Sequence, residues 1–299
     1  MAKIYSHSRL SCFEQCPYRF KLKYIDKIIP EIEMSIEAHL GKCVHDTLEW
    51  IYNKVLNKEQ SPAIENVIDY YAEKWQEAYS EKIKIVKTQF TQKDYFNKGV
   101  QFLVDYYMKH QPFKDGTLEC EKKIIINLDS DGEYKMQGFI DRLVHNIEQG
   151  HFEIHDYKTA NTLPTQEKIE QDRQLALYSI AIKELYGEDK DVKLIWHYLA
   201  HNTKIVSNRT NEQLENLKRD ILKLIKKIES TNHFPTSRSV LCGWCEYKSM
   251  CKEFGGVINE HQKNISDIFN FENEVTDDKI LEEQIKEESE TNGNGLDIW

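Results

Sequence analysis

Apolar positions along this chain change their period twice. In SRLSCFEQCPYRFKLKYID, Leu10, Phe13, Phe20 and Tyr24 recur at near-helical spacing while Pro17 interrupts the turn, which predicts two short helices around Cys16. In GKCVHDTLEWIYNKVL, Val44, Leu48, Ile51 and Val55 form one stripe and predict a helix beginning near Gly41, with His45 and Glu49 one turn apart on it. Further helical sequence runs from about 64 to 86 and from about 94 to 110. Between Thr117 and Thr159 the residues turn β-branched and aromatic, with turn signals at Asp131-Gly132 and Gln149-Gly150, so a three-stranded meander is expected. Past the Pro164 loop, QDRQLALYSIAIKELYG reads as a helix, DVKLIWHYLA as a strand and NEQLENLKRDILKLIKKIES as an amphipathic helix. The expected class is α/β, a mixed central sheet flanked by helices, with a helical insertion over about 56–115.

The chain of 299 residues is long enough to bury a large core. No run approaches the roughly 18 apolar residues of a membrane span, so no membrane partner is expected. The start, MAKIYSHS, lacks a basic patch followed by an apolar stretch, which points to a reducing cytoplasm and against structural disulfides. The net charge of −10 argues against nucleic acid only if it is evenly spread. It is not: from Glu260 onward twelve Asp and Glu face three Lys, a charge of −9, which leaves about −1 for the rest. Residues 1–258 are therefore expected to form the folded domain, and 259–299 an acidic, disordered tail whose tip, GNGLDIW, has the apolar character of a partner-docking peptide. A nearly neutral body can hold a positive groove, and Lys218, Arg219, Lys223, Lys226 and Lys227 offer one basic helix face.

Candidate chemistry begins with GHFEIHDYKTANT. In an extended strand Asp156 and Lys158 point to the same side. By itself, an Asp-x-Lys at a strand end is a surface ion pair of about 0 to 1 kcal/mol. The apolar approach strand, Asp141 at the close of MQGFID one hairpin upstream, and Gln174 and Tyr178 one helical turn apart change that weighting. Two converging carboxylates repel unless a cation lies between them, and hard oxygen ligands favour Mg²⁺ or Mn²⁺. His45 would add an imidazole and tilt the preference toward Mn²⁺. Lys158 cannot ligate while charged, but it can orient or deprotonate a water and offset charge growing on a phosphate. The chemistry that suits this set is metal-assisted phosphodiester hydrolysis.

These pieces together resemble the RecB-like branch of the PD-(D/E)XK nuclease superfamily, which includes the AddB nuclease domain and the CRISPR-associated adaptation nucleases. GKCVHDTLE, GFIDR, IHDYKT and QLALY occur in the family's order over about residues 6–255. The resemblance implies a restriction-endonuclease-like sheet. It also implies a metal held by His45, Asp141, Asp156 and the Tyr157 carbonyl, a catalytic Lys158, and support from Gln174 and Tyr178.

Seven cysteines are present, and VLCGWCEYKSMC sets Cys242, Cys245 and Cys251 in C-x2-C-x5-C. In a reducing compartment three thiols so close read as metal ligands that need a fourth, and spacing alone leaves Zn²⁺ and an iron–sulfur cluster open. Cys12 and Cys16 are both candidates for the fourth thiol; Cys43 and Cys120 read as small buried hydrophobes. The resemblance implies that Cys16, in CPYRF, joins the C-terminal three around a four-iron four-sulfur cluster that pins the ends of the domain together.

A site that reads phosphate leaves base identity unread, so little sequence preference is expected, and Tyr18, Phe20 and Trp244 are candidates to stack unpaired bases. No Walker-type loop is present in the sequence, so any helicase motor would lie on another chain. The expected activity is a DNA exonuclease acting on single strands or duplex ends in repair, recombination or phage replication. A helicase or a replication or repair protein is an expected partner through the tail. The alternatives are a CRISPR adaptation-type end-trimming nuclease and a non-catalytic, cluster-stabilised DNA-binding subunit of a helicase–nuclease complex.

Overall fold

The computed structural model describes residues 2–258, so the expected acidic tail and its tip lie outside the described residues. A six-stranded mixed sheet forms its centre, made of β1 (Lys3–Ser6), β4 (Thr117–Asn127), β5 (Tyr134–Asn146), β6 (His151–Lys158), β7 (Val192–Tyr198) and β8 (Thr203–Ser207). The predicted meander is there: β4 pairs antiparallel with β5, and β5 antiparallel with β6. Gly132 and Gly150 hold its turns at φ +67° and +71°, where a side chain would be strained. The chain then crosses over through α6 (Gln166–Glu170) and α7 (Gln174–Tyr186), so that β7 lies parallel to β6, and β8 returns antiparallel.

Helices cover both faces. One face of the sheet packs on α1 (His7–Gln15), α2 (Pro17–Phe20), α7 and α8 (Asn211–Glu229), through residues such as Leu10, Phe13, Ile154, Ile180, Trp196 and Ile225. The other face meets α3 (Ile36–Leu56), α4 (Ile64–Ala78) and α5 (Gln92–His110) around Leu48, Tyr52, Tyr71, Phe102 and Tyr157. No helix among the described residues is long and apolar enough to cross a membrane.

Several boundaries differ from the sequence expectation. Helix α3 starts at Ile36, five residues before Gly41, because Ser35 accepts the Ala38 N–H at 3.3 Å and caps it, and Ile36 and Leu40 extend the buried stripe. Helix α4 ends at Ala78 instead of about residue 86: Ile83 and Lys84 form β3, which pairs with β2 (Met34–Ser35). Strands β1 and β8 and helix α6 were not foreseen; β1 has four residues and exists because β5 offers it an edge. Asp141 does not close its strand, since β5 continues through Asn146.

Candidate active site

The site lies where one edge of β5 changes partner. Pairing with β1 ends at Gln137, and pairing with β6 begins at Arg142. Gly138 sits in that gap because the Tyr178 ring lies on it: a Cβ there would fall 2.4 Å from the Tyr178 Cε1. Beside it, β5 changes which residues it turns inward. Ile140 and Leu143 pack into the same core although they are three residues apart, a spacing that an unbroken strand would send to opposite faces. Strand β4 breaks step at the same level. Cys120 packs with the α3–α5 core and Ile124 with the opposite one, and Glu121 between them has a left-handed φ of +47°.

At this irregularity the acids and the histidine meet. Asp141 Oδ2 accepts the Tyr157 N–H at 2.9 Å. From α3, His45 reaches over so that Nε2 lies 2.7 Å from the Tyr157 carbonyl oxygen and Nδ1 3.3 Å from Asp141 Oδ2. One ring nitrogen of His45 thus faces a backbone carbonyl and the other a carboxylate. Two electron-pair donors at 3.3 Å need a proton or a cation between them. Glu121 joins them: one ligand atom each from His45, Glu121 and Asp141 lie within 4.8 Å of one another. Burial, then the Asp141 and Glu49 carboxylates, push the Glu121 carboxyl up to about 7.

On the α7 side of β6, Lys158 Nζ lies 2.9 and 2.8 Å from the two Asp156 oxygens and 3.3 Å from the Gln174 carbonyl oxygen, while the Gln174 amide donates to the Tyr178 hydroxyl at 3.4 Å. Asp156 is only 3% exposed. Burial raises its pKa to about 6, Lys158 acting against the rise and Asp141 adding to it. Burial alone would lower the Lys158 pKa, but the Asp156 carboxylate outweighs it and holds the amine above its ordinary value. A raised pKa favours the ammonium form, suited to orienting a water and offsetting phosphate charge.

The other face of the same strand is a closed polar network. Arg142, fully buried, donates to the Tyr157 hydroxyl at 2.9 Å, to Asp115 at 2.5 Å and to Thr117 at 3.0 Å, and lies 2.8 Å from His155 Nδ1. His155 also approaches Glu153 at 3.0 Å. Burial and then Arg142 depress the His155 pKa to about 4, so it is neutral there.

Cys16, Cys242, Cys245 and Cys251 line one open cavity together with Arg19, Leu22 and Tyr247. Cys12 does not line it and packs instead with Leu10 and Phe13. Protein contacts already dock the two ends here: Arg19 pairs with Glu246 at 2.9 Å, the Tyr18 N–H donates to Pro235 at 3.1 Å and the Tyr247 hydroxyl to Ile28 at 2.9 Å. Cys43 is fully buried, and Cys120 is half-buried. Among the proposed base-stacking rings, Phe20 is ruled out, being 1% exposed against Phe13 and Phe234. Tyr18 lines the cysteine cavity and Trp244 is partly exposed. The basic face of α8 is partly neutralised, since Lys218 pairs with Glu184 at 3.1 Å and Lys223 with Asp220 at 2.8 Å.

A family model for PD-(D/E)XK nucleases matches residues 4–252. The chain belongs to the PD-(D/E)XK nuclease superfamily. Two solved structures are similar to this nuclease-superfamily chain. The protein SSO0001 is 12% identical over 84% of this chain and 86% of its own, with a TM-score of 0.41. A candidate exonuclease from Eubacterium rectale is 13% identical over 80% and 86%, with a TM-score of 0.47. No curated protein matches the chain significantly by sequence.

PD-(D/E)XK nucleases typically use a divalent ion, and the donors fit one. Ligands at right angles around an ion at about 2.1 Å stand about 3 Å apart, close to the separation of His45 and Asp141. Glu121 was not singled out in the sequence, where TLECEKK reads only as the start of the meander. Arg142 stood within GFIDR without an assigned role, and no local signal shows that it turns inward.

Proposed function

We propose that this superfamily member is a metal-dependent DNA nuclease of the RecB-like branch, hydrolysing phosphodiester bonds as an exonuclease on single strands or DNA ends in repair, recombination or phage replication. The observation that carries this reading is the Lys158 ammonium, fixed between Asp156 and Gln174 on the strand whose preceding residue, Tyr157, turns its N–H to Asp141 and its carbonyl to His45. His45, Asp141, Asp156 and the Tyr157 carbonyl would hold Mg²⁺ or Mn²⁺, which would supply Lewis-acid polarisation of the phosphate and a water of lowered pKa. Lys158 offsets negative charge on the phosphate oxygens. Gln174 keeps the amine from swinging to solvent, and Tyr178, seated on Gly138, holds the Gln174 amide.

Cys16, Cys242, Cys245 and Cys251 carry a four-iron four-sulfur cluster in this proposal. That all four cysteines line one cavity supports a single group shared among them. The cluster's part is structural, since the cavity joins the first helices to the last segment.

The test is cleavage of end-labelled single-stranded DNA with Mn²⁺ by the parent and by Lys158→Ala. Loss of cleavage in the variant, with DNA still bound, is expected. Equal rates would remove the catalytic reading and leave a cluster-stabilised DNA-binding subunit. The visible spectrum separates a cluster, with a brown absorbance near about 400 nm, from colourless zinc.

A further inference from the structure

We infer that Glu121 is an additional ligand of the divalent ion, reaching it from β4 on the opposite side of Asp141 from β6. This rests on the metal-dependent reading above and adds a residue to it. Cys120 pairs with Arg142 and Lys122 with Ile140, so Glu121 stands abreast of Asp141 across the two strands. Side chains abreast on paired strands share a side of the sheet. The Glu121 carboxylate accordingly lies with the His45–Asp141 pair, at a position where β4 breaks its alternation with a φ of +47°.

Two further observations call for a cation there. His45 stands between the Tyr157 carbonyl oxygen at 2.7 Å and the Asp141 carboxylate at 3.3 Å, so a ring nitrogen and two oxygen donors crowd one place. Ligand atoms within 4.8 Å of one another also come close to the span of about 4.3 Å between opposite ligands of one ion at about 2.1 to 2.2 Å. Meanwhile both Asp156 oxygens face Lys158, so an acid on the β4 side supplies negative charge that Lys158 does not offset.

The experiment titrates Mn²⁺ into the metal-free, full-length protein without DNA, reading free Mn²⁺ by electron paramagnetic resonance, for the parent, Glu121→Gln and Asp141→Asn. Glu121→Gln is expected to raise the Mn²⁺ Kd by at least about tenfold, the scale seen even when groups behind the ligands are removed. Its metal-free Tm should match the parent's, while the upward Tm shift caused by Mn²⁺ shrinks. Should Glu121→Gln fail to fold, Glu121→Asn, which tolerates a positive φ, takes its place with the same two outcomes. A Kd within twofold of the parent, together with a large loss in Asp141→Asn, overturns the role of Glu121 and leaves the nuclease reading standing. If the parent binds no Mn²⁺, or Asp141→Asn binds it as well as the parent, the proposed active site falls and this inference with it.

Discussion

Strand β6 sends similar polar residues to its two faces, and they meet opposite fates. Toward α3 and α5, His155 and Tyr157 are closed into a network with Arg142, Asp115 and Glu153 in which each group has a partner. Toward α7, Asp156 and Lys158 neutralise each other, and beside them, at the break in β5, His45 from α3 meets the carboxyl groups of Asp141 and Glu121 within 4.8 Å. A satisfied buried network stiffens a fold. An unbalanced one is kept because something else completes it, and a divalent ion fits the donors.

The largest expected effect breaks the functional face. Lys158→Met should cut Mn²⁺-supported DNA cleavage by about 10³, or about 4 kcal/mol of transition-state stabilisation, measured as kcat/KM on end-labelled DNA. Its Tm should fall far less than that of the next variant. Arg142→Met on the closed face should cost about 3 kcal/mol of stability in urea unfolding, because it strands the Tyr157 hydroxyl and His155 inside, while the folded fraction keeps its cleavage rate. Finding the reverse, with Arg142→Met inactive but stable, would dissolve the distinction between the faces.

Smaller changes sharpen the contrast. Gln174→Ala should lower kcat by about tenfold without weakening Mn²⁺ binding, since it frees the Lys158 amine to move but touches no ligand. A rise in the Mn²⁺ Kd equal to the loss in kcat would place Gln174 among the ligands instead. The smallest effect is a pH dependence. The Asp156 pKa is raised from its ordinary value near 3.8 to about 6, so its contribution to folded-state stability is fully present below about pH 3.8 and is lost as pH rises through 6. Metal prefers the carboxylate, so the Tm gain from Mn²⁺ should grow across that window. A gain independent of pH between 4 and 7 would put Asp156 outside the metal site.

Much of the site was legible from local rules. A period of two puts Asp156 and Lys158 on one face, and a helical turn puts Gln174 beneath Tyr178; both hold, and Lys158 meets Gln174. Helix α3 was legible by its stripe, although its start at Ile36 depended on the Ser35 cap. Strand β1 was not, because four residues carry no period of their own and become a strand only along β5.

The sequence by itself determined the order of the main elements, the face shared by the acid and the lysine, and the C-terminal trio of cysteines, because these follow from spacing along one segment. Only the tertiary structure decided that Cys16 rather than Cys12 lines the cavity, that Arg142 turns inward and that Glu121 reaches Asp141. Each of these depends on a break in strand alternation or on the docking of segments more than a hundred residues apart. The energy that selects such arrangements comes from packing and charge between segments, and no single segment contains it.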